Sequence, residues 1–286
     1  MNGKTKARER ISAIGRGVAF LLFGTLLLTV EIPEVRGQTT VSKEGEVDKA
    51  GGGDTLVYPV RTNTAWRAGE ELTYELRFLF FKAGTGVFRV EDGPERNGRP
   101  TYRIVSTLKS RPGFMYGVDD RNVSIVDREG LFTYEYRKRQ REGRYRNNEV
   151  TTFDHYKELA YRVDDGVKHK PMHFDRFSAD VLSVIYLIRT LPIENVGRTV
   201  FPVHDGRRDY SMTLRVKRHE TVRTPYGKFR CLVVKPYMVN KERGPLKKGS
   251  MELWLTDDAR RIPVKIKISV GFGSIEGRLV KMTGVS

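Results

Sequence analysis

The chain has 286 residues, 38% of them hydrophobic and 30% charged, which suits a globular protein with a full core and excludes a bundle of membrane helices. Lys and Arg number 52 against 35 Asp and Glu, a formal charge of +17, so electrostatics favours polyanionic partners. The single cysteine, Cys231, excludes an internal disulfide framework, a four-cysteine zinc site and an iron–sulfur cluster.

The N-terminus carries Lys4, Lys6, Arg8, Arg10 and Arg16 ahead of an apolar run from Val18 to Val30. That run is shorter than the roughly 20 residues a membrane-spanning helix needs. A basic start, a short apolar stretch and Val35-Arg36-Gly37 beyond it predict a secretory signal peptide over residues 1–37, cleaved after Gly37. Cleavage removes six basic and three acidic residues and leaves a charge of +14. The expected location is therefore periplasmic. There a basic surface meets anionic lipid headgroups, lipopolysaccharide or acidic wall polymers rather than nucleic acid, with peripheral contact to a membrane surface a further expectation.

Residues 38–66 are polar, include Gly51-Gly52-Gly53 and read as a flexible lead-in; residues 67–286 read as a single β-rich domain. From Gly69 the dominant period is two. Leu72, Tyr74, Leu76, Phe78 and Phe80 form one apolar row. Tyr210, Met212, Leu214 and Val216 form another, and Ile262, Val264, Ile266, Ile268 and Val270 a third. Each predicts a strand with one buried and one wet face, the mark of antiparallel sheet. Turn signals recur at short intervals, at Asn97-Gly98, Glu129-Gly130, Glu142-Gly143, Asp165-Gly166, Asp205-Gly206 and Thr224-Pro225-Tyr226-Gly227. The predicted fold is mainly β: a strongly curved antiparallel meander, an open or partial barrel.

One segment breaks the period. Ser178 to Leu191, ending at Pro192, predicts a helix with Ser178 as its cap and Asp180 in its first turn. Val181, Leu182, Val184, Ile185, Leu187, Ile188 and Leu191 cover nearly its whole circumference, so the helix is expected inside the curve of the sheet, central and largely buried.

Reactive constellations are sparse. His169 and His173 have zinc-like spacing, but Pro171 between them argues against the helix that would align them, and a solvated loop is the plainer reading. Asp119-Asp120 and Asp257-Asp258 offer paired carboxylates for hydrolysis, yet neighbours on a strand point apart and arginines stand beside both pairs. No nucleophile elbow, phosphate loop or dinucleotide fingerprint occurs. Cys231 lies in an apolar strand and reads as an inert buried thiol. Neither a metal nor a cofactor is expected, and the chain leans away from enzymes. The densest charge is Arg137-Lys-Arg-Gln-Arg-Glu-Gly-Arg-Tyr-Arg146, around a predicted hairpin tip.

Several segments resemble an exported bacterial family, domain of unknown function 3108. They are Gly69-Glu-Glu-Leu-Thr-Tyr-Glu-Leu76 with Lys82-Ala-Gly84, Phe153-Asp154, Asp180-Val-Leu-Ser-Val-Ile-Tyr186 with Arg189, Thr224-Pro-Tyr-Gly-Lys-Phe229, and Trp254-Leu-Thr-Asp-Asp258 leading to Arg261-Ile-Pro-Val264. The resemblance spans roughly residues 67–282. It implies an exported β protein with one central helix, similar to the half-open β folds of periplasmic lipoprotein carriers, and it implies no reaction and no catalytic residues.

The expected activity is non-enzymatic: binding or carrying a lipid or another amphipathic anionic ligand. Tyr74, Phe78, Phe80, Tyr134 and Tyr136 would line an apolar groove, and Arg137, Arg139 and Arg141 would meet an anionic headgroup at its rim. The alternative is an envelope scaffold that binds anionic polymer through its basic surface, and a hydrolase using Asp257 or Asp258 stands last.

Overall fold

The computed structural model describes residues 56–79, 81–113, 117–192, 197, 199–240, 244–245, 250–270 and 273–285. The predicted signal peptide and Phe80 lie outside the described residues.

Strands dominate. In chain order they are β1 (Glu71–Phe78), β2 (Phe81–Asp92), β3 (Thr101–Ser110), β4 (Asp119–Asp127), β5 (Thr133–Glu142), β6 (Tyr145–Asp154) and β7 (Leu159–Asp164). The short pieces β8 (Val167–Lys168), β9 (Met172–His173) and β10 (Ala179–Asp180) follow, then helix α1 (Ser183–Arg189). After the helix come β11 (Phe201–His204), β12 (Asp209–Thr224), β13 (Gly227–Asn240), β14 (Gly244–Pro245), β15 (Ser250–Thr256), β16 (Pro263–Val270) and β17 (Gly273–Thr283).

They form one continuous sheet. From β1 the antiparallel ladder runs through β2, β3, β4, β5 and β6 to β7 on one side. On the other side it runs through β17, β16, β15, β13 and β12 to β11, and β10 joins β11 in parallel. The sheet is large, curved and not closed. The mainly antiparallel, open-barrel architecture expected from the period-two patterning is the one observed.

The three apolar rows point inward. Leu72, Tyr74 and Phe78, then Tyr210, Met212 and Leu214, then Ile262, Val264, Ile266 and Ile268 are all buried. Tyr74 also donates its hydroxyl to the Pro263 carbonyl at 2.7 Å, so its burial leaves no polar atom stranded. Residues 56–66 are not wholly a loose lead-in. Ala65 and Trp66 are buried, and Tyr58 stacks on Phe132 with ring centroids 5.9 Å apart.

The helix is central and buried at all seven positions, as its apolar circumference requires. It is shorter than the sequence suggests, and its cap is not Ser178. Ala179 and Asp180 pair with Val203 and His204 in strand geometry, so the helix cannot begin before them. The Asp180 carboxylate accepts from the Leu182 and Ser183 N–H groups at 2.7 and 3.0 Å, supplying the cap from below. Ser124 and Thr133 donate their hydroxyls to the same carboxylate at 2.8 and 2.7 Å, which ties the helix start to β4 and β5. Burial raises the Asp180 pKa despite those donors. Trp66 Nε1–H donates to the Tyr186 carbonyl at 3.0 Å, anchoring the helix from the other side.

Candidate functional site

Among the described residues, the aromatics expected to line a groove are covered. Tyr74 and Tyr136 belong to the main packed core, with Tyr136 fully covered, and Phe78 is buried as well. The difference at Tyr134 has a local cause. Ser124 pairs with Tyr136 and Ile125 with Glu135, but Val126 pairs with Thr133, a register shift that leaves Tyr134 as the extra residue of a bulge. The bulge moves Tyr134 out of the Tyr136 row. It packs instead with Ile125 and Phe132 in a second small core that Tyr58, Val123 and Phe177 complete. Its hydroxyl donates to Asp127 at 3.2 Å. Alternation read through a bulge assigns the wrong face.

The arginines sit on the opposite side of the sheet from that packed interior. Cross-strand partners share a face, so register identifies the neighbours. Arg121 pairs with Arg139, Val123 with Arg137, and Ile125 with Glu135 and Arg103. Arg137 pairs onward with Val150, and Arg139 with Asn148. These residues line a surface cavity of about 400 Å³, walled by Pro94 and Arg96 from the β2–β3 connection. Its floor holds Val123, Ile125 and Val150, and five arginines (96, 103, 121, 137 and 139) surround it. Arg137 and Arg139 are thus brought together in the lining of this cavity. Arg141 lies outside the lining and bonds Asn148 and the Gln140 carbonyl instead.

Carboxylates offset part of this charge. Arg137 pairs with Glu135, Arg103 with Glu91, Arg96 with Glu135 at 3.6 Å, and Arg139 with Asp119 at 3.0 Å. Arg121 is exposed and meets no carboxylate among the described residues. Arg96, Arg103 and Arg121 were missed from sequence because they belong to the site only through pairing, although Arg121-x-Val123-x-Ile125 shows one outward row once its strand is known.

The inner face of the same strands is a buried polar network. Lys138 pairs with Glu149 and donates to the Asp205 carbonyl at 3.1 Å. Arg207 donates two bonds to Glu149, at 2.8 and 2.7 Å. Burial alone would raise the Glu149 pKa, but Lys138 and Arg207 outweigh it and hold the carboxyl below its ordinary value. Beyond them Asp120 and Glu142 face one another. Burial, reinforced by the bond to Asp120 and its charge, pushes Glu142 up to about 9.

The other candidates are occupied locally. Asp258 accepts from Thr256, from the Arg260 backbone and from the Arg260 guanidinium at 2.7, 3.0 and 2.6 Å. Asp257 lies 3.5 Å from His219 and 3.7 Å from Arg230. His169 lies 3.2 Å from Asp164, while His173 pairs with Leu159 in β9. Among the described residues, no group of three or more His, Cys, Asp and Glu could hold a metal ion. Cys231 is buried, and burial pushes its thiol up to about 11, away from reactivity at neutral pH. No helix among the described residues is long and apolar enough to cross a membrane.

Three solved structures, each distant in sequence, align with much of the chain. A β-barrel-like protein of domain of unknown function DUF1849 from Brucella abortus aligns over 74% of this chain and 96% of its own, at 12% identity and a TM-score of 0.47. A candidate exported protein with a YmcC-like fold from Bacteroides fragilis aligns over 76% and 97%, at 13% identity and a TM-score of 0.34. A candidate lipoprotein from Parabacteroides distasonis aligns over 76% and 96%, at 9% identity and a TM-score of 0.35. Comparison with curated proteins finds no match. The chain matches the family described as Protein of unknown function (DUF3108) over residues 73–280, nearly the whole sheet from β1 to β17, and it belongs to that family.

Proposed function

We propose that the protein is an exported, non-enzymatic binding protein whose outer arginine groove receives the anionic group of an amphipathic ligand. The observation that carries this reading is the combination in one cavity of five arginines with the apolar floor of Val123, Ile125 and Val150. Guanidinium groups bind phosphate or carboxylate oxygens in paired, charge-assisted bonds, and an apolar floor takes the adjoining methylenes. The ligand site so conceived lies outside the curve of the sheet, on the face opposite the buried Tyr74 and Tyr136. The signal-like N-terminus supports action outside the cytoplasm.

Arg121 is the decisive residue, since it is exposed and has no carboxylate among the described residues to satisfy it. A charge-assisted bond contributes about 1.5–3 kcal/mol, so Arg121→Ser should weaken binding about 10- to 100-fold. The probe is dihexanoyl phosphatidylglycerol, titrated calorimetrically against the full chain, with dihexanoyl phosphatidylcholine as the zwitterionic control. Stronger binding of the anionic lipid, lost in Arg121→Ser and in Arg137→Ser, supports the reading. Equal binding of both lipids, or affinity indifferent to both substitutions, refutes it. Binding to lipopolysaccharide alone, falling steeply with salt, would favour the polymer-binding alternative.

A further inference from the structure

The β1–β2 hairpin breaks a local rule of turn chemistry. Phe78 pairs with Phe81, so Leu79 stands where the hairpin reverses, a place where Asn, Asp or Gly is the ordinary choice. Leu79 adopts φ 53°, a left-handed conformation that a bulky residue rarely takes. It is 46% exposed, and Phe81 is 69% exposed. The neighbouring turn makes room for Leu79: a Cβ on Gly273 would come within 2.9 Å of Leu79 Cδ2. Neither Leu79 nor Phe81 belongs to the buried core, so both leave apolar surface facing outward at this end.

The flanking charge at the same end is basic. Lys82 follows Phe81 directly, and Arg111 N–H donates to the Ala83 carbonyl at 2.9 Å, so the end of β3 lies beside the tip. Ser110 N–H donates to Val118 at 2.9 Å and Gly143 N–H to Gly117 at 2.7 Å, which brings the β5–β6 turn to this end with Arg144 and Arg146 exposed on it. Among the described residues, Lys109, Arg111, Arg144 and Arg146 meet no carboxylate. The nearby acids are mostly engaged: Glu75 by Lys82 and Arg77, and Asp119 by Arg139, while Asp120 and Glu142 are buried.

We propose that this end of the sheet is a membrane-docking surface, with Leu79 and Phe81 entering the interfacial layer of an anionic bilayer and the surrounding Lys and Arg side chains resting on its headgroups. Exposed aromatic and aliphatic side chains flanked by cations match the chemistry of that layer, whose headgroups are polar and negative and whose boundary accepts apolar side chains. The surface is separate from the arginine groove, and neither reading depends on the other.

Two full-length variants test this. Phe81→Trp places an indole at the tip, and Tyr156→Trp places one on the β6–β7 turn, at the far end of β6, where Tyr156 is 61% exposed. Both native tryptophans, Trp66 and Trp254, are buried and serve as a common background. With vesicles of phosphatidylcholine and phosphatidylglycerol carrying brominated acyl chains, the added Phe81→Trp emission should fall by about half, as for an interfacial indole. The Tyr156→Trp signal should not change, and vesicles of phosphatidylcholine alone should quench neither. Because orientation is read, attachment through the N-terminal apolar run cannot imitate the result. Equal quenching of both indoles, or none at Phe81→Trp, overturns the proposal. So does self-association of the wild-type chain that Phe81→Ser abolishes, since the tip would then bind a second copy. Binding of soluble dihexanoyl phosphatidylglycerol should survive Phe81→Ser, so failure at the tip and failure at the groove are distinguishable.

Discussion

Arg189 and Glu70 join the last turn of the helix to the entry of β1 through a two-pronged ion pair, Nη1 to Oε1 at 2.6 Å and Nη2 to Oε2 at 2.7 Å, with neither side chain exposed. The same guanidinium donates to the Ala65 and Arg260 carbonyls at 3.1 and 3.2 Å, so it binds the N-terminal segment and the β15–β16 turn as well. Removing one partner strands a buried charge. Arg189→Met should cost about 3–5 kcal/mol in a urea melt, and the double variant Glu70→Gln/Arg189→Met should recover part of the loss. Independent, additive losses would show that the pair is not coupled.

The helix should behave as a packed plug. Ile185 is buried and belongs to the main hydrophobic core. Truncation to Ala leaves a cavity that close packing cannot fill, so Ile185→Ala should cost about 2–5 kcal/mol. A loss below about 1 kcal/mol would reject tight packing at this position.

Much of the fold was legible because a half-buried strand writes its burial into alternate residues, as at Leu72, Tyr74 and Phe78. Three residues within the segments that carry the family resemblance hold the fold. Asp180 caps the helix, Arg189 binds Glu70, and Asp258 closes the β15–β16 turn through Thr256 and Arg260. Such segments identify an architecture without identifying a ligand. The helix start was misplaced because a capping carboxylate two residues into a strand resembles one in a first turn. The groove was only half legible: Arg137 and Arg139 stand in one charge run, but Arg103 and Arg121 join them through register, which a single sequence does not encode locally. Tyr134 failed for the same reason, since one bulge reverses the face of a residue.

Acid should unfold the protein through two histidines. His155 Nε2–H donates to the Thr133 carbonyl at 2.8 Å, and its Nδ1 accepts from Phe177 N–H at 3.0 Å, which fixes a neutral tautomer with both nitrogens in use. His204 Nδ1 likewise accepts from Gly206 N–H at 2.9 Å. Burial pushes each imidazole down to about 4, below its ordinary 6.5. The unfolded chain takes up these protons first, so stability is complete above about pH 6.5 and declines as pH falls toward about 4. Urea midpoints across that window should fall less in a His204→Gln variant than in the wild type. An unchanged slope would remove His204 from the account.

The Asp120–Glu142 pair predicts the opposite slope on the alkaline side. Glu142 is pushed up to about 9, chiefly by burial and then by its bond to Asp120 and the charge there, so at neutral pH it keeps a proton. The Asp120 carboxylate accepts the Arg141 N–H at 2.8 Å, and Gln140 donates to Glu142 at 3.3 Å, so the pair sits at the base of the basic β5–β6 hairpin. A carboxyl that binds its proton more tightly folded than unfolded supports the fold fully below its unfolded pKa, and loses that support as pH rises through the folded value. The window therefore runs from about 4.5 to about 9. Glu142→Gln retains an N–H donor for Asp120 and cannot ionise. Its melting temperature relative to wild type should rise steadily as pH increases across the window, with the largest gap near the alkaline end. A difference that does not vary with pH would mean that Glu142 is already ionised in the folded protein.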